Sequence, residues 1–214
     1  FGYRNKAEYP VRVFDGTFES GFFASGSRSF VPLNRTCKIQ HPLVEKTREA
    51  FIDICNQQTF KNGFLNAVLH RLVIRLGGYS EEVMVIICSE KPLPKMDLAC
   101  DCLTSKIPQV KSVYQSIVKK GSSKYLGKRL KLVFGTPFIR ERISGLDFDI
   151  SPGSFFQVNS IQAEVLFSKA VEYANCKGIA VDAYCGTGSI SLFLAQKAAK
   201  VYGFEVYPGA VKDA

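Results

Sequence analysis

Apolar and polar positions alternate with a two-residue period at the start of the chain, the spacing of half-buried strands. "YPVRVF" alternates, "ESGFFASG" follows, and "RSFVPL" closes the series at Pro32, with glycine and serine between them for turns. "HPLVEKTREAFIDICNQQ" changes the period: Leu43, Val44, Ala50, Phe51 and Ile54 form a helical stripe behind Pro42. "LHRLVIRLGG" and "EEVMVIICSE" read as two strands around a "GGYSEE" turn, a hairpin. "QVKSVYQSIVKK" places Val110, Val113, Ile117 and Val118 on one side and lysines on the other, which predicts a helix. "KRLKLVFG" and "ERISGLDFDIS" predict another pair of strands.

The pattern changes near Gly145. "SIQAEVLFSKAVEYA" predicts a helix capped by Ser160, its buried stripe Ala163, Leu166, Phe167, Ala170, Val171 and Ala174. "IAVDAYCG" is a continuous apolar strand of the kind buried on both faces of a parallel sheet. "SISLFLAQKA" is the next helix, "AKVYGFEV" a second such strand, and "PGAVKDA" opens a helix at Pro208. The expected fold is α/β: a mixed α+β central domain over residues 1–144, then the start of a doubly wound, Rossmann-like domain over 145–214. Two parallel strands with one crossover cannot cover their own faces. The natural chain is therefore expected to continue past Ala214, and Phe1 is not expected to be its native start.

Composition adds two constraints. With 214 residues, 46% hydrophobic and 22% charged, the chain has a globular make-up and no apolar run of bilayer length or signal peptide. Seven scattered cysteines suit a reducing cytoplasm, and Cys100 and Cys102 sit too close for a usual zinc pair. The net charge of +9 is uneven: residues 1–144 carry 23 Lys+Arg against 12 Asp+Glu, a net of +11, and residues 145–214 carry a net of −2. A basic first part beside a mildly acidic second part suggests a polyanion-handling region next to a separate chemical one, although a solvated basic surface gives the same count.

The candidate chemistry sits in "VDAYCGTGSISLFLA". In an open parallel sheet, ligands bind beyond the carboxyl ends of the strands. Gly186 and Gly188 lie there and let the backbone bend and approach a ligand closely. The third glycine of a dinucleotide turn is absent; instead Asp182 precedes the turn and Glu205 ends the next strand, where a carboxylate can accept from ribose hydroxyls. That pattern resembles S-adenosylmethionine-dependent methyltransferases more than NAD enzymes.

"SFFQVN", followed by the glycine turn and "GFEVYPGAVKDA", is similar to the RNA uracil-5 (5-methyluridine) methyltransferases, and "YRNKAEYPVRV" resembles the opening of that family's central domain. The resemblance implies S-adenosyl-L-methionine as cofactor, held by Gln157, Tyr184, Gly186, Gly188, Ser189 and Glu205. It implies methyl transfer to C5 of a uridine after a cysteine thiolate adds to the neighbouring carbon. That nucleophile and the general base lie late in the family's fold, so no catalytic residue is expected in this chain, Cys185 included. These 214 residues alone are then expected to be catalytically dead and to bind the donor weakly or not at all.

Cys37, in "NRTCKIQHP", resembles the last of four cysteines holding an iron–sulfur (4Fe-4S) cluster in ribosomal-RNA members; the other three would precede Phe1. It favours a 23S ribosomal RNA substrate over transfer RNA. Arg4, Lys6, Lys128, Arg129 and Lys131 are the expected RNA-binding cations, with Arg12, Lys119, Lys120 and Lys124 adding to the basic clusters. Phe22, Phe23 and Phe30 are candidates for stacking on bases, against the commoner fate of core packing. The rival reading, from a different class, is a non-catalytic RNA-binding module with a decayed methyltransferase fold.

Overall fold

The computed structural model describes residues 1–127 and 129–214. Its frame is a seven-stranded sheet in the order β3-β2-β1-β4-β5-β6-β7. The strands are β1 (Lys6–Phe14), β2 (Thr17–Phe23), β3 (Phe30–Pro32), β4 (Leu69–Leu76), β5 (Val83–Ser89), β6 (Val110–Ile117) and β7 (Arg129–Gly135). All neighbours are antiparallel except β5 and β6, which run parallel through the helix between them.

β4 and β5 form the expected hairpin and are buried along nearly their whole length, because both faces of the sheet are covered. One face packs on α1 (Pro42–Asn56), α2 (Gln58–Asn66) and α3 (Met96–Lys106) through Tyr9, Val11, Phe51, Leu72, Ile74, Val85 and Ile87. The alternate residues Val73, Met84, Ile86 and Cys88 point to the opposite face and meet the second half of the chain. Beneath α1, Glu45 accepts from Tyr9 Oη at 2.6 Å and from Arg48 Nε at 3.2 Å, and both charged residues are buried.

The segment expected to be a helix at Val110–Val118 is the strand β6 instead. Its apolar spacing suits either period, but Val110, Val113, Tyr114 and Ile117 are β-branched or aromatic, the types that pack on a pleated surface. Its polar residues are buried in partnered positions: Gln115 Nε2 donates to Ser89 Oγ at 3.0 Å and Ser116 Oγ accepts from Gly127 N at 2.9 Å.

"KRLKLVFG" and "ERISGLDFDIS" are strands, as expected, but they do not pair with each other. β7 pairs with β6, and the second stretch is a hairpin on its own, β8 (Ile139–Ile143) with β9 (Leu146–Ile150). Its two-residue turn, Ser144 and Gly145, has positive φ at both positions, the requirement of a type I′ turn. The expected division between residues 144 and 145 falls in that turn.

α4 (Ser160–Ala174) is capped by Asn159, not Ser160: Asn159 Oδ1 accepts from Gln162 N at 3.1 Å, while Ser160 Oγ donates to Glu141. Its buried stripe narrows to Ala163, Phe167 and Val171, and Leu166 is exposed. Then follow β10 (Ile179–Ala183), α5 (Ser189–Ala195), β11 (Lys200–Phe204) and α6 (Pro208–Asp213), with β10 and β11 parallel. This is the strand–helix–strand unit read from the sequence. β10 is not buried on both faces: Ala180 packs inward, whereas Ile179 and Val181 are exposed. A two-stranded pair with its helices on one side leaves the other side uncovered.

Candidate functional site

The site is built at the carboxyl ends of β10 and β11. Tyr184 leaves β10 with φ +62°, a backbone cost that a side chain larger than glycine carries only where the surroundings hold it. Gly186 and Gly188 follow at φ +59° and +73°, the left-handed region that favours glycine. A Cβ on Gly186 would meet nothing within 4 Å, so the turn opens onto free space there. Gly188 caps α5, and its N–H donates to the Cys185 carbonyl at 2.9 Å, closing the bend.

Glu205, at the tip of β11, faces this turn. Its Oε2 accepts from Gly186 N at 2.9 Å and its Oε1 from Val206 N and Tyr207 N, each at 2.7 Å. The Tyr207 N–H, with those of Val206 and Gly186, holds the carboxyl below the ordinary glutamate value. A depressed value means that the charged form is complete at neutral pH and is lost only as acid carries the solution down through that value. A carboxylate offers about four lone-pair sites, so acceptor capacity remains beside the turn. On the other side, Asp182 accepts from Ser191 Oγ at 2.6 Å, fixing β10 to α5. Ser189 Oγ lies 3.3 Å from Thr187 Oγ1, and Thr187 is buried. Tyr184 is 88% exposed, so its ring is not part of a core.

Cys185 is a poor nucleophile in this setting. Burial raises its thiol, and the charges of Asp182 and Glu205 raise it further. A thiol pushed up holds less thiolate at neutral pH.

Gln157 reaches the structure through the other half of the chain. Its carbonyl accepts from Asn5 Nδ2 at 3.1 Å, while Asn5 N donates to Val158 O at 2.9 Å. Among the described residues no hydrogen bond joins Gln157 to the glycine turn. Asn5 also donates to Ser160 Oγ at 2.9 Å, so one buried amide binds the "FFQVN" stretch to the start of β1. Arg75 does the same from β4, donating through Nη1 to Ser151 O at 2.7 Å and Ser154 O at 2.8 Å. Glu141 completes the clamp, accepting from Gly78 N, Tyr79 N and Ser160 Oγ. Sequence reasoning missed all three; the available signal was a lone arginine inside the apolar run "LVIRLGG".

The candidate RNA-binding cations do not form one surface. Lys6 lies on β1 with its Nζ 4.7 Å from the Tyr125 ring centre, on the sheet face that meets the second half of the chain. Arg129 and Lys131 lie on β7, opposite Ile117 and Gln115, on the face that carries α3. Three strands separate β1 from β7. Lys128 lies outside the described residues. Arg4 is half-buried, and its Nε is buried without a hydrogen-bond partner. Of the three phenylalanines, Phe22 stacks on Tyr9 and Phe30 on Phe14, whereas Phe23 is 45% exposed.

Cys37 is held by its backbone, whose N–H donates to Glu45 Oε2 at 3.2 Å. Among the described residues no three His, Cys, Asp or Glu side chains converge on a metal position. The residues present therefore do not fit a cluster by themselves. All seven cysteines are free thiols, and among the described residues no helix is long and apolar enough to cross a membrane.

No family model matches the chain. It is 38% identical over 218 residues to an uncharacterized RNA methyltransferase of Oceanobacillus iheyensis, covering 99% of this chain and 48% of that protein. It is likewise 38% identical over 219 residues to an uncharacterized RNA methyltransferase of Enterococcus faecalis, again across 99% of the chain and 48% of the relative. The chain thus spans about half the length of the curated relatives it matches. Among solved structures it is similar to the Pyrococcus abyssi tRNA (uracil-54, C5)-methyltransferase in complex with S-adenosyl-L-homocysteine: TM-score 0.77, 26% identity, 100% of this chain and 51% of that one. Along its whole length this chain is thus similar in sequence to proteins named RNA methyltransferases and in fold to a solved one.

Proposed function

We propose that this chain is part of an RNA uracil-5 methyltransferase, which moves the methyl group of S-adenosyl-L-methionine to C5 of a uridine. The observation that carries the reading is the Glu205 carboxylate turned onto the Gly186 N–H, beside free space above Gly186. Glu205 would take the ribose hydroxyls, the glycines would let the backbone approach the adenosyl group, and Tyr184 and Ser189 would line its sides. Gln157 would supply a side-chain amide from the segment that Asn5 and Arg75 hold. When bound, the donor supplies an electrophilic methyl on sulfonium. This chain's own contribution is to grip and orient it, and the nucleophile and base belong to parts of the whole protein outside these residues.

Two RNA substrates fit this reading. The Cys37 stretch favours 23S ribosomal RNA, with the cluster a proposal for the whole protein. The solved neighbour, which acts on transfer RNA, favours that alternative. The test is tritium release from RNA labelled at uracil C5, using the full-length protein and S-adenosylmethionine. Donor-dependent release from 23S RNA supports the first substrate, and release from transfer RNA the second. Methyl incorporation without tritium release would overturn the C5 assignment, and no incorporation into either RNA would overturn the reading.

A further inference from the structure

A second cleft lies on the sheet face that meets the second half of the chain. Along β1 the residues Lys6, Glu8, Pro10 and Arg12 alternate with the core residues Ala7, Tyr9 and Val11, so they point away from the helices. Pro10 pairs with Arg71 and Glu8 with Val73, which places Arg71 on the same face as Val73. A cleft of about 510 Å³ opens there, lined by Arg12, Phe23, Arg28, His70, Arg71 and Lys120, none of them acidic.

Its parts are fixed rather than loosely hung. Arg71 donates through Nη2 to Ser122 O at 2.8 Å, which secures the loop carrying Lys120, and among the described residues its other N–H groups make no hydrogen bond. His70 is buried, its Nε2 2.9 Å from Val118 O, and forms part of the wall. The Arg12 guanidinium lies 5.5 Å from the centre of the Phe23 ring, which is 45% exposed. Phe23 also lines a neighbouring cleft of about 540 Å³ that holds Arg4, with its unpartnered buried Nε, and Val158 beside Gln157. One exposed ring thus stands between a basic cleft and a cleft that reaches the "FFQVN" stretch.

Four cations line this cleft, with one carboxylate at its edge, Glu90, which accepts from Lys120 N at 2.9 Å; such an excess of positive charge suits a phosphate chain, and an exposed aromatic ring beside it suits an unstacked base. Duplex RNA offers no free base face, whereas single-stranded RNA does. We infer that this cleft is a binding track for single-stranded RNA, in which Arg12, Arg71 and Lys120 hold phosphates and one base stacks on Phe23. The inference rests on reading the chain as RNA-directed, and it assigns the track to residues outside the donor site.

These 214 residues hold no tryptophan, so in the full-length protein Phe23→Trp places the one indole of this region in the cleft. The probe is oligouridylate, added without methyl donor. RNA is expected to quench the indole saturably, while inorganic polyphosphate competes for the cleft without quenching. Arg12→Gln with Arg71→Gln is expected to weaken binding at least tenfold and to lower the salt slope by about 0.7 for each phosphate no longer neutralised. Lys120→Gln, on an exposed loop, keeps the test open should that pair fail to fold, and is expected to lower the slope by one such step. Absent quenching, equal quenching by polyphosphate, or an unchanged slope in a folded variant would each overturn the track. Because no donor is present, quenching combined with failed methyl transfer would sink the proposed function alone. Methyl transfer without quenching would sink the track alone.

Discussion

Replacing Glu205 with alanine should abolish most of the affinity of the full-length protein for S-adenosylhomocysteine, on the order of 100-fold by titration calorimetry. The carboxylate is the only acidic group at the tip of β11, and it already organises the turn through Gly186 N, Val206 N and Tyr207 N. Alanine removes both the acceptor for the ribose and the brace on the bend. Glu205→Gln keeps the shape and one acceptor oxygen, so its loss should be smaller. Thermal unfolding should barely change in either variant, because the group is at the surface and water can replace it on the freed N–H groups. The pH dependence follows from the direction of the shift. Binding should stay flat around neutrality and fall only in acid, as the solution passes down through the depressed carboxyl value. Near-normal affinity in Glu205→Ala would remove the ribose role.

The largest stability loss is expected at a different place. Arg48 and Glu45 are both buried, paired at 3.0 Å through Arg48 Nη2. Glu45 also accepts from Tyr9 Oη and Cys37 N, so it ties α1, β1 and the Cys37 loop together. Arg48→Ala strands a carboxylate in the core and should cost about 3–5 kcal/mol in denaturant unfolding. Joint replacement by Glu45→Gln and Arg48→Met removes both charges and should recover much of that loss, since a buried pair gains little over well-packed neutral residues. If the single variant loses less than about 1 kcal/mol, as an exposed pair would, the burial of this pair is wrong.

Local patterning made some of this structure legible and hid the rest. α1 and the β4–β5 hairpin follow from periodicity because each buries a continuous stripe, and the β10–α5–β11 unit follows from its apolar runs and the glycine turn between them although its strands stay largely exposed. α2 was hidden because Gly63 interrupts its helical pattern. That glycine is needed by packing: a Cβ there would lie 2.5 Å from Pro94 Cγ. β6 was misread because its buried polar residues look like a solvated helix face until their partners on β5 and in the 118–127 loop are known. The same limit applies to the site. Gly186 and Glu205 could be brought together from sequence, since parallel neighbours place their carboxyl ends side by side. Asn5, Arg75 and Glu141 could not, because each acts through hydrogen bonds to residues far along the chain. Arg129 and Lys131 share the basic first part of the chain with Lys6, yet the strand pairings set them on opposite faces of the sheet.

The most direct measurement is a crystal structure of the full-length protein with S-adenosylhomocysteine. The account predicts ribose hydroxyls within hydrogen-bond distance of Glu205, with the adenosyl group against Gly186 and Gly188. A ligand bound elsewhere, or a sugar turned away from that carboxylate, would contradict it.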